Sequence, residues 1–197
     1  MSMPPIKMII EAALLVAGQP LTLKCLQDLF EDEARPAVAE LQQVLVELQA
    51  EYSGKGMEVK ELASGFCIQA RVELAPWLKK LWEEKPGRYS RALLETLALI
   101  AYRQPITRGE IEAVRGVAVS SNIIRTLLER EWIHIVGHRE VPGKPSLYAT
   151  TKQFLDNFNL TKLDELPPLA ELPNLDITAV HHQAIAEIST AEAPIHE

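Results

Sequence analysis

Five cations in the middle of the chain, Arg103, Arg108, Arg125, Arg139 and Lys144, are the side chains best suited by type to touch a phosphate or a base edge. The other candidates for chemistry are weaker. Gly137 to Lys144 has the outline of a phosphate loop. Its glycines are one residue too far apart, and Pro145 stands where Ser or Thr must hold magnesium. His134 and His138 lie four apart in a segment that reads as a strand. That spacing predicts one face, but too great a separation to share a metal. His181-His182 has no Cys nearby to complete a ligand set. Cys25 falls in an amphipathic helical stretch with no His beside it to serve as base. Cys25 and Cys67 are widely spaced and read as reduced core thiols of a cytosolic chain. No catalytic residue, cofactor site or metal site is therefore expected. What remains is recognition without covalent chemistry, and the elements that carry the cations decide its kind.

An apolar helix runs into Tyr102. Pro105 cannot continue it, because proline has no N–H to donate and restricts the residue before it. Thr107 is a good N-cap, and Glu110 three residues later completes a capping box. The spacing predicts a short helix from Arg108 to Val114, stopped at Gly116. A third helix starts near Ser120-Ser121, with Ile123, Ile124, Leu127 and Leu128 on one face. Two strands follow, around Ile133 to His138 and Ser146 to Thr150, joined by the breaker-rich Val141-Pro142-Gly143-Lys144-Pro145. Helix, short strand, helix, helix, hairpin is the order of a winged helix.

The first third repeats this grammar. Ile9 to Ala17 reads as an apolar helix, ended by Gly18-Gln19-Pro20-Leu21-Thr22. Gln-Pro-Leu-Thr matches Gln104-Pro105-Ile106-Thr107 at an offset of 85 residues. Next come a short helix from Lys24 to Phe30 and a longer one from Arg35 to Tyr52. Val38, Leu41, Leu45, Leu48 and Tyr52 fall on one face of the longer helix. Met57-Val59 and Phe66-Ile68-Ala70 then alternate as strands around Ser64-Gly65. The pattern predicts two winged helices in tandem, an internal duplication. Trp77, Leu78, Leu81 and Trp82 precede the joint, read as inter-domain core. Pro86-Gly87 breaks the chain there and Ser90 caps the next helix. Phe154-Leu155-Phe158-Leu160 predicts a last short helix packed on the second domain. Beyond it a degenerate repeat, Glu165-Leu166-Pro167-Pro168-Leu169 and Glu171-Leu172-Pro173-Asn174-Leu175, predicts an acidic, disordered tail.

Charge is unevenly placed along this frame. Residues 1–85 carry nine Lys/Arg and thirteen Asp/Glu, 86–160 ten and seven, and 161–197 one and seven. A mildly basic middle between acidic parts is not the dense cationic field that autonomous DNA binding needs. Arg125 and Arg130, in the helix that would enter a groove, are offset by Glu129 and Glu131. Weak, non-selective DNA binding is expected. No run approaches the ~18–20 apolar residues of a membrane span, and the N-terminus lacks the pattern of a signal peptide.

The residues then point to a family. Glu95 to Arg108, Glu110-Ile111-Glu112, Arg115-Gly116-Val117, Leu127-Leu128-Glu129-Arg130, Gly137-His138, Pro142-Gly143-Lys144-Pro145 and Leu147-Tyr148 closely resemble the segregation and condensation protein B (ScpB) family. The resemblance is densest over 88–160, extends more loosely to residue 9, and does not cover the tail. Asn159 stands where Gly is common in the family, and Trp132 where a smaller aliphatic is common.

The fold expected is α+β and mostly helical. It has an N-terminal winged-helix dimerisation domain over 1–85, a C-terminal winged helix over 86–160, and a tail over 161–197. The resemblance implies a non-enzymatic, cytoplasmic, nucleoid-associated subunit of the bacterial SMC–kleisin complex. It implies a homodimer that binds the kleisin ScpA, reaches the SMC ATPase through ScpA, and touches DNA only weakly or through the complex. Tyr102, Arg103, Arg125, His138 and Arg139 are the expected partner-binding residues. Ile6, Ile9, Ile10 and Ala13, on a helix apolar around much of its circumference, are the expected dimer contacts. The rival expectation is a winged-helix transcription regulator, which would put the five cations on DNA.

Overall fold

The computed structural model describes residues 4–81 and 89–168. They form two compact units, one on each side of 82–88. Trp82, Pro86-Gly87, His181-His182 and the repeat from Leu169 onward lie outside the described residues.

In the first unit, helix α1 (Ile6–Val16) begins after Pro4-Pro5. Helix α2 (Leu23–Gln27) is capped by the Thr22 hydroxyl, which accepts from the Cys25 N–H at 3.1 Å. A 3-10 turn, Asp32–Ala34, leads to α3 (Val38–Glu51). Strands β1 (Met57–Leu62) and β2 (Gly65–Ala70) pair antiparallel, Met57 opposite Ala70 and Leu62 opposite Gly65. Helical spacing puts Ile10 and Leu14 of α1 against Leu26, Leu41, Leu45 and Leu48, and Tyr52 and Val59 close the cluster. Two polar ties hold α1 to the end of α3: the Tyr52 hydroxyl donates to Glu11 at 2.7 Å, and Lys7 pairs with Glu51. Leu21, between the first two helices, exchanges two 2.8 Å backbone hydrogen bonds with Phe66 and becomes a third strand position beside β2. That approach needs Gly65. Its φ is +140°, and a Cβ there would lie 2.3 Å from the Leu21 carbonyl oxygen. A short helix α4 (Ala75–Leu78), flanked by 3-10 turns, ends the unit. Trp77 is 67 % exposed and Leu81 is exposed too, so neither belongs to the first unit's own core.

The second unit opens with α5 (Arg91–Arg103), whose cap is Ser90 accepting from the Leu93 N–H at 3.2 Å. Strand β3 (Ile106–Thr107) runs directly into α6 (Arg108–Arg115), which ends at Gly116 in the left-handed conformation. Helix α7 (Ser121–Glu129), strands β4 (Ile133–His138) and β5 (Ser146–Thr150), and helix α8 (Lys152–Asn157) follow. The sheet order is β3-β5-β4, all antiparallel. Ile111, Val119, Leu127, Trp132 and Ile133 are fully buried in this unit's core. Trp132 also stacks with Tyr89 and Phe158, at centroid distances of 5.2 and 5.6 Å. The Gln104 side-chain oxygen accepts from the Thr150 N–H at 2.6 Å and its hydroxyl at 3.0 Å, which ties the end of α5 to β5. Asn159 takes φ +58°, a conformation Asn tolerates better than most residues.

The unit also extends past 160, where the tail was expected to begin. Leu163–Glu165 is a 3-10 turn, the Glu165 carboxylate accepts from Thr161, and the Tyr102 hydroxyl donates to the Pro167 carbonyl. Dense proline forbids a long helix but not this anchored turn.

The β4–β5 hairpin is joined to the helices by one carboxylate. Glu110 accepts from the Thr107 N–H at 2.9 Å and the Thr107 hydroxyl at 2.8 Å, while that hydroxyl caps α6. Arg139, just past β4, pairs with the same carboxylate at 2.8 Å. The Thr107 backbone bond, then its hydroxyl, with Arg139 adding, holds the Glu110 carboxyl below the usual range.

Two stability outcomes are expected. Gly65→Ala should cost on the order of 1–3 kcal/mol in urea unfolding, through strain and loss of the Leu21–Phe66 pair. Gly54→Ala, at φ +79° with open space around the new Cβ, should cost less; equal losses would show that the close approach is unimportant. Glu110→Ala should cost about 1 kcal/mol near neutral pH, the size of a lost cap. A lowered carboxyl pKa stabilises above the ordinary Glu range and ceases to do so as pH falls through the folded value. The melting temperatures of wild type and Glu110→Ala should therefore converge below about pH 4. A constant gap would contradict the assignment.

Candidate partner-binding surfaces

Of the five cations, three are already held by carboxylates of their own chain. Arg108 pairs with Glu112 at 3.0 Å and donates to the Ser121 hydroxyl at 3.0 Å, bridging α6 to the start of α7. The same Glu112 accepts from the Val119 N–H at 2.9 Å, and this bond, then Arg108, lowers its pKa. Arg125 lies 3.4 Å from Glu129, its neighbour one turn on, and 3.3 Å from Asn122. Arg139 is the Glu110 partner just described. Only Arg103 and Lys144 of the five make no ion pair among the described residues, and Lys144 sits in the wing turn at φ +37°.

The expected partner residues divide accordingly. Arg103, Arg125 and His138 are exposed. Tyr102 is half-buried and its hydroxyl serves Pro167. Burial raises its pKa. Arg139 is exposed but structurally committed to Glu110. His134 and His138 do not share a face as expected. The register shifts between Ile135 and Gly137, so His134 lies opposite Ala149 and His138 opposite Ser146. Ala149 and Ser146 are three apart on β5, hence on opposite faces. No group of three potential metal ligands occurs among the described residues. Cys25 is exposed rather than core, with the Thr22 hydroxyl donating to its sulfur at 3.1 Å.

On α1 the expected dimer contacts point inward. Ile10 is 0 % exposed, and Ile6, Ile9 and Ala13 pack against the same core. Ile10 has no surface left for a partner, whereas Ile6, Ile9 and Ala13 are half-buried. The outward face is instead Met8, Ala12, Leu15 and Val16, with Val16 80 % exposed. Their spacing of four, three and one residues marks a single apolar stripe. Periodicity alone missed it, because α1 is apolar on nearly every side. Among the described residues no helix is long and apolar enough to cross a membrane.

Comparison with known proteins places the chain. A family model described as segregation and condensation complex subunit ScpB matches residues 8–169. A segregation and condensation protein B homolog of Coxiella burnetii is 58% identical over 170 residues, covering 86% of this chain and 81% of that protein. Segregation and condensation protein B of Desulforamulus reducens is 44% identical, covering 84% and 90%. A solved structure described as a dimer of the ScpB N-terminal domain complexed with a ScpA peptide is 30% identical, covering 43% of this chain and 99% of that one, at a TM-score of 0.37. With the family model spanning most of its length, this chain belongs to the ScpB family of segregation and condensation complex subunits.

Proposed function

We propose that this protein is a non-enzymatic subunit of a condensin-like SMC–kleisin complex, acting in chromosome condensation and partition. The chain is two winged-helix domains in tandem, the second including the turn that reaches Pro167. It forms a homodimer through the first domain, binds the kleisin ScpA, and reaches the SMC ATPase through ScpA. It resides in the cytoplasm, at the nucleoid. Family membership supports this reading. The observation that carries it against the transcription regulator is electrostatic: Arg108 and Arg139 are paired with Glu112 and Glu110. Cations neutralised within the chain release few counterions from DNA, and counterion release drives most of the affinity for duplex.

The dimer contact is the outward stripe of α1. An isologous contact across Met8, Leu15 and Val16 removes from water apolar area that the first unit leaves exposed. The ScpA-binding surface of the second domain includes Arg103, Arg125 and His138, with Tyr102 and Arg139 supporting them from behind. The Arg125–Glu129 pair is well exposed on both sides and therefore weak, so an incoming carboxylate can take the guanidinium over.

The wild-type chain is expected to sediment as a dimer at tens of micromolar, and Leu15→Asp with Val16→Asp to sediment as a folded monomer; a dimer that survives both changes overturns the α1 contact. In a pull-down, the chain should retain ScpA and an SMC ATPase, and no promoter fragment. Arg103→Ala with Arg125→Ala should leave the melting curve unchanged and weaken ScpA capture about tenfold, as loss of interface arginines does. Undiminished capture would remove both residues from the site.

A further inference from the structure

The outer edge of β4 is open and carries no charged residue. It is one border of the three-stranded sheet, and β5 covers only its other side. The Thr151 N–H bonds to the Trp132 carbonyl at 3.1 Å, and the Arg139 N–H to the Pro145 carbonyl at 2.9 Å, so those groups face β5. By alternation the backbone groups of Ile133, Ile135 and His138 face outward. No backbone hydrogen bond from outside the hairpin reaches them among the described residues.

Proteins normally guard such an edge with charge. The first unit does so: its border strand β1 carries Glu58, Lys60 and Glu61 in six residues. Strand β4, Ile-His-Ile-Val-Gly-His, carries no Lys, Arg, Asp or Glu, and Ile135 and Val136 are each 47 % exposed. Beside it runs a groove of about 550 Å³ lined by Leu128, Ile133, Ile135, His134, Glu131 and Lys152. Lys152 is exposed and makes no ion pair among the described residues.

We infer that an extended segment of the kleisin adds to this edge as a fourth strand. This rests on the proposed partnership with ScpA. The segment has apolar residues at alternate positions, which enter the groove against Leu128, Ile133 and Ile135, and a carboxylate that meets Lys152. Backbone pairing supplies affinity and the groove supplies selectivity. A second copy of this chain fits the edge less well. The bulge at Val136 interrupts each strand, and two bulged edges brought together across a two-fold axis would both be out of register at the seam. A single extended segment adjusts to one bulge.

The test uses the full chain and full-length ScpA. Ile135→Lys adds to β4 the edge charge it lacks, and Val46→Lys adds the same charge at an exposed site on α3. Ile135→Lys should weaken ScpA capture at least tenfold, and Val46→Lys should leave it unchanged. Lys152→Glu should weaken it severalfold, and it stands in for the first variant should Ile135→Lys melt early. In hydrogen exchange on the wild-type complex, the amides of 133–138 should slow when ScpA is bound. Wild-type capture with unchanged exchange there, or full capture by a folded Ile135→Lys variant, overturns the strand addition and leaves the partnership standing. Failure of the wild type to capture ScpA overturns both. Loss of dimerisation in Ile135→Lys with ScpA capture intact assigns the edge to a second copy and overturns the inference.

Discussion

The second unit depends on a strand that becomes a helix with no loop between them. Thr107 pairs with Leu147 in the sheet and is also the N-cap of α6. Both roles are possible because a strand residue and an N-cap share extended backbone angles, here φ −91° and ψ 160°. The junction leaves the Thr107 N–H and hydroxyl in need of acceptors, and Glu110 satisfies both while drawing Arg139 in from the wing. Sheet, helix and wing thus converge on one carboxylate. The first unit solves the same junction differently. Cys25 stands where Glu110 would, and its thiol cannot accept as a carboxylate does. Leu21, the counterpart of Ile106, pairs with Phe66 as Ile106 pairs with Tyr148, and there Gly65 supplies the space.

The same economy governs the surface. Most arginines of the second unit that sequence order makes available for phosphate are spent within the chain. Arg115 is the extreme case: its side chain is buried, it bridges to Glu95 at 3.1 Å across α5 and α6, and it leaves Nε without a partner. Arg91 and Arg115 lower the pKa of Glu95 between them. A helix framework knitted by ion pairs in this way has little positive potential to project outward. Among the described residues, exposed apolar features are the stripe of α1, Trp77, Leu81 and the edge of β4. Apolar surface of that kind suits protein partners better than a polyanion.

Much of this fold was legible from residue order. The capping box at Thr107 and Glu110, the stop at Gly116, and both strands of the second hairpin fall where breakers and caps put them, because those signals act over three or four residues and tertiary context rarely overrides them. The failures have one cause in common: they needed knowledge of what lies across space. Helix α1 is apolar on too many sides for periodicity to tell the inward Ile10 from the outward Val16. The start of the tail was placed too early because Pro167 is tied to Tyr102, 65 residues away in sequence. The histidines of β4 were set on one face because a bulge leaves no local mark.

That bulge also bears on how the gene can change. Val136 is the residue that the sheet does not count: Ile135 faces Tyr148 and Gly137 faces Leu147, and the pairs on either side are complete without it. Loss of one codon there would restore a regular ladder and leave both flanking pairs in place, whereas loss of a codon beyond the bulge would shift the residues after it out of register. The bulge is thus a place in the strand where the chain can lose an amino acid without a change of architecture.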